Sequence, residues 1–242
     1  MDRSTKIVSA YQPYFAPYGG FFEKALGSHY LVLLDDVQFP RGTTWLTRNR
    51  FKNDQGTLWL TIPVWKKGLG LQKIKDVKIC HQGGWARKHL ASITTAYKNA
   101  PYFPDHQDFV TKIFTETYTF LLDINLEIIR YVLDYLGASV ELVLLSELGI
   151  TSKEPDLSVD LAKALGASHF LAQSSARKYL VPERFQEAGI ELIFFNPRPI
   201  VYPQLWGEFI PNLSILDMIF NCGPRTAQMV RKGPRATKIQ IP

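Results

Sequence analysis

Residues 7–39 read IVSAYQPYFAPYGGFFEKALGSHYLVLLDDVQF, and the fold is decided by how this stretch is read. Ile7–Tyr11 and Tyr30–Leu34 are apolar runs of strand length, joined by a Pro/Gly-rich turn and a helix of about two turns. A strand, a helix and a second strand in this order form the unit from which an open α/β sheet is built. Polar side chains fall where each strand ends: Gln12 and Tyr14 after the first, then Asp35, Asp36 and Gln38 after the second. Ligands of such sheets bind at the carboxyl ends of the strands. These residues are therefore the first candidates for a site.

Downstream, the turn residues Asn53–Gly56 separate Thr47–Phe51 from Leu58–Val64, and both flanks have strand character. Arg48 and Arg50 then lie on one face of the first of these strands and Asn49 on the other. Lys66–Gly70 reads as a flexible basic loop and Lys73–Ile79 as a further alternating strand. Helical spacing then takes over. In Gly84–Lys98, Trp85, His89, Ile93 and Tyr97 share one face, so His89 points among apolar neighbours. Asp105–Thr117 and Leu121–Leu136 follow as helices, the second stopped by Gly137. Val140–Leu145, Ser168–Ala172 and Ile190–Phe195 return as buried strands, alternating with helices at Pro155–Leu165 and Pro182–Ala188.

The expectation is an α/β protein with a mostly parallel, Rossmann-like sheet flanked by helices. Residues 1–83 and 138–223 form its core, 84–137 a helical insertion packed on it, and 224–242 a basic C-terminal tail. The last ordered element is expected at Leu213–Asn221, apolar except for Ser214, Asp217 and Asn221. Those three form a narrow polar stripe, which must face either backbone or a ligand because buried polar groups are hydrogen-bonded.

Composition excludes several classes. The 242 residues, 46% hydrophobic and 21% charged, are enough for a full core and argue against disorder. No apolar run is long enough to span a bilayer, and the N-terminus enters a strand with no apolar signal core, so a cytoplasmic protein is expected. Cys80 and Cys222 form no Cys-x-x-Cys, and the five histidines never fall at metal-ligand spacing, so no metal is expected. Arg225, Arg231, Lys232, Arg235 and Lys238 account for five of the six net positive charges. A body that is nearly neutral without them is unlike a nucleic-acid surface. The basic end is either solvated or meets an anionic ligand or membrane surface.

Taken together, the motifs resemble the WbqC-like family of bacterial surface-polysaccharide gene clusters. The opening pattern stands as Tyr11-Gln12-Pro13-Tyr14, Pro17, Gly20, Phe22, Lys24 and Leu34–Phe39. Arg48-Asn49-Arg50, then Trp85, Lys88 and His89, then Tyr202, Gln204, Ser214–Asp217, Asn221 and Gly223 continue it. Tyr11 departs from the pattern, which often has His there. The resemblance implies an α/β fold. It also implies transfer of an acyl or aminoacyl group to the amine of a nucleotide-linked amino-deoxysugar in O-antigen or exopolysaccharide synthesis. Leu171–Leu180, LAQSSARKYL, is similar to a stretch of pantothenate synthetase. That likeness implies instead ATP-dependent joining of a carboxylate to an amine through an acyl-adenylate. The donor would be ATP-activated or an acyl-carrier or CoA thioester. A third reading is a non-catalytic sugar-nucleotide binding protein; a homo-oligomer fits any of the three.

Amide formation needs a neutral amine, an acyl donor and a proton acceptor. Asp36, His89 and Asp217 are the candidate proton handlers. Gln12, Tyr14, Gln38, Arg48, Asn49, Arg50, Lys88, Ser174, Ser175, Tyr202, Gln204, Ser214 and Asn221 are the candidate binding residues. The arginines suit bidentate contacts to phosphate or carboxylate, and Lys88 could reach a phosphate. Ser174 and Ser175 either donate to phosphate oxygens or cap a turn. His89 is either a core histidine or a proton handler, and Asp35 either caps a turn or pairs with an arginine.

Overall fold

Each strand of the main sheet is short and apolar on both faces, as a parallel sheet covered by helices requires. The computed structural model describes residues 5–231. In chain order it has β1 (Ile7–Tyr11), α1 (Gly19–Leu26), β2 (Tyr30–Leu33), β3 (Arg48–Asn53) and β4 (Gly56–Thr61). The helices α2 (Trp85–Tyr97), α3 (Phe103–Thr115) and α4 (Leu121–Tyr135) come next. They are followed by β5 (Glu141–Leu144), α5 (Leu157–Ala164), β6 (His169–Gln173), α6 (Pro182–Glu187), β7 (Glu191–Phe195), α7 (Ile215–Cys222) and α8 (Arg225–Arg231). Five strands pair in the order β5-β2-β1-β6-β7, all parallel, while β3 and β4 form a separate antiparallel hairpin. The fold is α/β and Rossmann-like.

Side-chain alternation divides the sheet between two cores. Val8, Val32, Val143, Phe170 and Phe194 face α5 and α6. Tyr11, Leu31 and Leu33 face a larger core that also contains residues of α1 to α4, α7 and the hairpin. The strand order fixes where a ligand can enter. From β1 the chain winds outward through β2 to β5, then crosses back to lay β6 on the other side of β1. The loops leaving β1 and β6 therefore diverge at their carboxyl ends and leave a crevice.

Two segments differ from the sequence reading. Lys73–Ile79 is not a strand. Ile74 and Val77 are both fully buried, and the chain between them closes a 3₁₀ turn at Ile74–Asp76. The turn is tied to the end of β2 by Ile74 N–H donating to the Val37 carbonyl and Lys75 N–H to that of Asp35. The alternation that suggested a strand instead directs Lys73 and Lys75 outward. The chain also continues past α7 into α8, where Thr226 and Val230, four residues apart, are buried and Arg231 donates to the Leu136 and Gly137 carbonyls. Lys232, Arg235 and Lys238 lie outside the described residues.

The loop after β1 is fixed by two buried asparagines. Asn125 of α4 donates to the carbonyls of Pro13 (2.8 Å) and Leu46 (2.9 Å), and Asn49 of β3 to those of Phe15 (2.9 Å) and Ala16 (2.7 Å). Asn125→Leu keeps the branching and the number of heavy atoms but strands two buried carbonyls, each costing about 1–3 kcal/mol. Urea unfolding of this variant is expected to show a loss of roughly 3 kcal/mol.

Candidate functional site

The crevice is open and lined. A cleft of about 430 Å³ lies over the carboxyl ends of β6 and β7 and the start of α1. One wall is Gln173, Ser174, Ser175, Asn196 and Pro197; the other is Tyr14, Tyr18, Trp45, Asn49, Arg50 and Asn212. A second hollow of about 280 Å³ lies over β1 and shares Tyr14, Gln173 and Ser175 with the cleft. Its lining includes Gln12, Tyr11, Lys24, Glu154 and Tyr179.

Local sequence places each wall. Residues 174–178 turn as a 3₁₀ segment straight off β6, and Ser174 Oγ donates to the Phe195 carbonyl at the end of β7 (3.0 Å). Ser175 remains exposed at the junction of the two hollows. Opposite, Asn49 holds Ala16 at φ 41°, an uncommon left-handed conformation for a residue with a Cβ. Arg50 spans to the closing segment, donating from one terminal nitrogen to the carbonyls of Pro211 and Asn212 (both 3.1 Å). The Ser214 amide returns the tie by donating to the Arg50 carbonyl (2.8 Å). Arg50 Nε is buried and has no hydrogen-bond partner among the described residues. Beside it, Trp45 stacks on Trp59 at 5.8 Å, and Arg48 lies 3.6 Å from the Trp59 ring. Both tryptophans are more than 40% exposed, so a planar cationic and aromatic surface flanks the cleft.

Six of the residues singled out in the sequence line these hollows: Gln12, Tyr14, Asn49, Arg50, Ser174 and Ser175. The others are placed elsewhere. Asp36 pairs with Lys73 (2.7 Å) and Lys75 (2.5 Å), whose ammonium groups hold its carboxyl below the usual range. Gln38 bridges to Lys73 beside it. Asp35 accepts from the Ser146 amide (3.0 Å) and hydroxyl (2.6 Å), capping the turn after β5. His89 lies between Trp85 and Phe114 with Nε2 2.8 Å from the Thr61 carbonyl, and burial lowers its pKa. Lys88 is exposed on α2.

The closing motif forms an internal network. Asp217 is 1% exposed and accepts from Tyr97 Oη (2.6 Å) and Tyr202 Oη (2.7 Å). Asn221 donates to the Asp217 carbonyl (2.8 Å) and accepts from the Leu205 amide. Gln204 accepts from Lys52 Nζ (3.1 Å) and from the Ile210 amide (3.0 Å). Ser214 caps α7 by accepting from the Leu216 amide. None of these five is among the residues lining the two hollows. Burial pushes the Asp217 carboxyl up, against the opposing effect of its hydroxyl partners and Lys52.

Sequence reasoning gave no site role to Trp45, Gln173, Asn212 or, above all, Lys24, although Lys24 stands in the opening pattern. Lys24 lies one helical turn into α1 and is 2% exposed. Its Nζ donates to the Ala10 carbonyl (2.8 Å) and sits 3.6 Å from the centre of the Tyr11 ring. Burial lowers its pKa from 10.5 to about 7. A lysine in the middle of GGFFEKAL, where an apolar face is due, was the available signal. Among the described residues no group of three or more His, Cys, Asp or Glu side chains is placed to hold a metal ion. No helix there is long and apolar enough to cross a membrane.

The profile of the WbqC-like protein family matches residues 12–229. The uncharacterized protein Rv1507c of Mycobacterium tuberculosis is 30% identical over 228 residues, covering 93% of this chain and 98% of that protein. No solved structure matches the chain significantly.

Proposed function

The chain belongs to the WbqC-like protein family, and from that premise we propose that it acylates or aminoacylates the amine of a nucleotide-linked amino-deoxysugar bound in the cleft at the β1/β6 crevice. One observation carries this reading: Arg50, on the cleft wall, is tied to the protein through one terminal nitrogen alone. An arginine held that way keeps its other terminal nitrogen for a ligand, on the flat guanidinium fork that suits a phosphate. The diphosphate would lie between that fork and the hydroxyls of Ser174 and Ser175. The cleft volume falls within the range of small-molecule sites. The acyl group would come from a thioester or an adenylate.

A second reading has its own support. The segment similar to pantothenate synthetase, Leu171–Leu180, supplies Gln173, Ser174 and Ser175 to the cleft and five further residues to the hollow. The protein would then activate its own carboxylate with ATP.

Titration with a panel of nucleoside diphosphates and nucleotide-linked amino-sugars tests both. Binding is expected to weaken about 10- to 100-fold in Arg50→Ala, as for a lost charge-assisted hydrogen bond. Unchanged affinity in the variant would remove the cleft from consideration. Exchange of labelled pyrophosphate into ATP with any carboxylic acid would favour the second reading over the first.

A further inference from the structure

We propose that Lys24 is the proton acceptor of the transfer, and that the hollow over β1 receives the reacting amine. The inference rests on the function proposed above and adds the group that reading lacks, since Asp36, His89 and Asp217 all lie outside the lining of the two hollows. Lys24 is a cation-forming side chain enclosed by the protein, with one hydrogen-bond acceptor, the Ala10 carbonyl, and one ring, Tyr11, against its Nζ. Neither supplies the negative charge that a buried ammonium requires.

The titratable groups around the hollow bear this out. From β1 and the following loop come Tyr11 and Tyr14, both neutral, with burial raising their pKa values. Glu154, from the segment before α5, has a carboxyl raised by burial and accepts from Ser158 Oγ at 2.6 Å. Lys178 and Tyr179 come from the turn after β6; burial raises the Tyr179 phenol. Glu23, beside Lys24 on α1, is raised by burial to about 7. The Tyr11 ring and the Ala10 carbonyl favour the ammonium, but no anion pairs with it, and burial outweighs them and brings the amine to about 7. A neutral amine at that pKa is matched to a base working near neutral pH.

The hollow shares Tyr14, Gln173 and Ser175 with the cleft. A sugar attached to a diphosphate at Arg50 can therefore extend across this shared rim toward Lys24. The sugar amine attacks the carbonyl carbon of the acyl thioester or adenylate with its lone pair, and the carbonyl π pair moves to oxygen. Lys24 Nζ takes the proton from the new C–N nitrogen and becomes an ammonium. The C=O re-forms as the thiolate or AMP leaves, and the Lys24 proton returns to that leaving group or to water. The products are an amide and the free donor.

The test uses the full chain. Lysines labelled with ¹³C at Cε are titrated by NMR in wild type and Lys24→Met; one resonance with a midpoint near 7, missing from the variant, is expected. Turnover is then followed with a panel of nucleoside-diphosphate amino-deoxysugars and acetyl-CoA or glycyl-adenylate. Wild-type kcat/KM is expected to rise with pH to a plateau above about 7. Lys24→Met and Lys24→Arg are both expected to lose about 10²- to 10⁴-fold while keeping nucleotide-sugar affinity. Titration of Lys24 above 9, or a Met variant that turns over at the wild-type rate, would overturn the assignment. A wild type that binds and acylates no nucleotide sugar defeats the function instead, and the NMR titration still decides the state of Lys24.

Discussion

Asp217→Ala is expected to destabilise the protein by about 3–5 kcal/mol, because it strands two buried hydroxyls and removes the acceptor on which the end of the chain is fastened. Tyr97 reaches Asp217 from α2 and Tyr202 from the segment before α7. Tyr97 Oη also accepts from the Lys52 amide of β3 (2.9 Å). One carboxylate thus joins the helical block, the hairpin and the closing helix. Asp217→Asn retains one acceptor oxygen and offers an N–H that either hydroxyl can accept, so its cost should be nearer 1–2 kcal/mol. Urea unfolding of both variants measures the difference. If Asp217 is purely a fastening, Asp217→Asn will keep nucleotide affinity. An Asn variant of native stability that no longer binds or reacts would return Asp217 to the site.

Lys24→Met is expected to give a protein more stable than wild type, by an amount that depends on pH. The amine has its pKa lowered from 10.5 to about 7 by burial, so it holds its proton more weakly in the folded chain than in the unfolded one. Between those two values the unfolded chain binds more protons, and wild-type stability rises with pH. Below 7 the folded state carries the full cost of a buried ammonium, on the order of 4–5 kcal/mol at about 1.4 kcal/mol per pH unit. Methionine removes that cost and loses the bond to Ala10, worth about 1 kcal/mol. The variant should therefore gain roughly 3 kcal/mol near pH 6 and almost nothing near pH 10. Glu23, raised from 4.5 to about 7, makes wild-type stability fall as pH rises through that window. The same slope is present in the variant, so it cancels in the comparison. An equal difference at both pH values would show that Lys24 is an ordinary lysine.

Much of the architecture was legible in the chain because the relevant signals are local. The apolar runs at Ile7, Tyr30, Val140, Ser168 and Ile190 each become a strand, with bounds moved by a residue or so. Lys73–Ile79 misled because burial three residues apart and burial on alternate residues share their first steps when lysines fill the gaps. The lining of the two hollows was legible in part. Gln12 and Tyr14 follow directly from the rule about strand ends and Arg50 from its residue type, while Asn49 rests on the family pattern and Ser174 and Ser175 on the likeness to pantothenate synthetase. Asp217 is placed by the hydroxyls of Tyr97, 120 positions away, and of Tyr202; no local pattern tells such a network from a ligand site. Lys24 was hidden for the opposite reason, since a lysine on a helix is ordinarily solvated and only the packing of Tyr11 and Ala10 over it encloses the amine.

The cleft has one further consequence, for ligand discovery. One wall is itself closed by Arg50 on the Pro211–Asn212 carbonyls, 161 and 162 positions away in the chain, and faces a wall built by residues 173–175 and 196–197. Neither wall is a binding surface by itself, so an unfolded or half-folded chain offers a small molecule nothing to hold. Whatever compound fits must then raise the melting temperature of the whole protein, by an amount equivalent to about 2.7 kcal/mol at a hundredfold excess over Kd. A thermal-shift screen of sugar nucleotides can read out the natural substrate before any reaction has been observed.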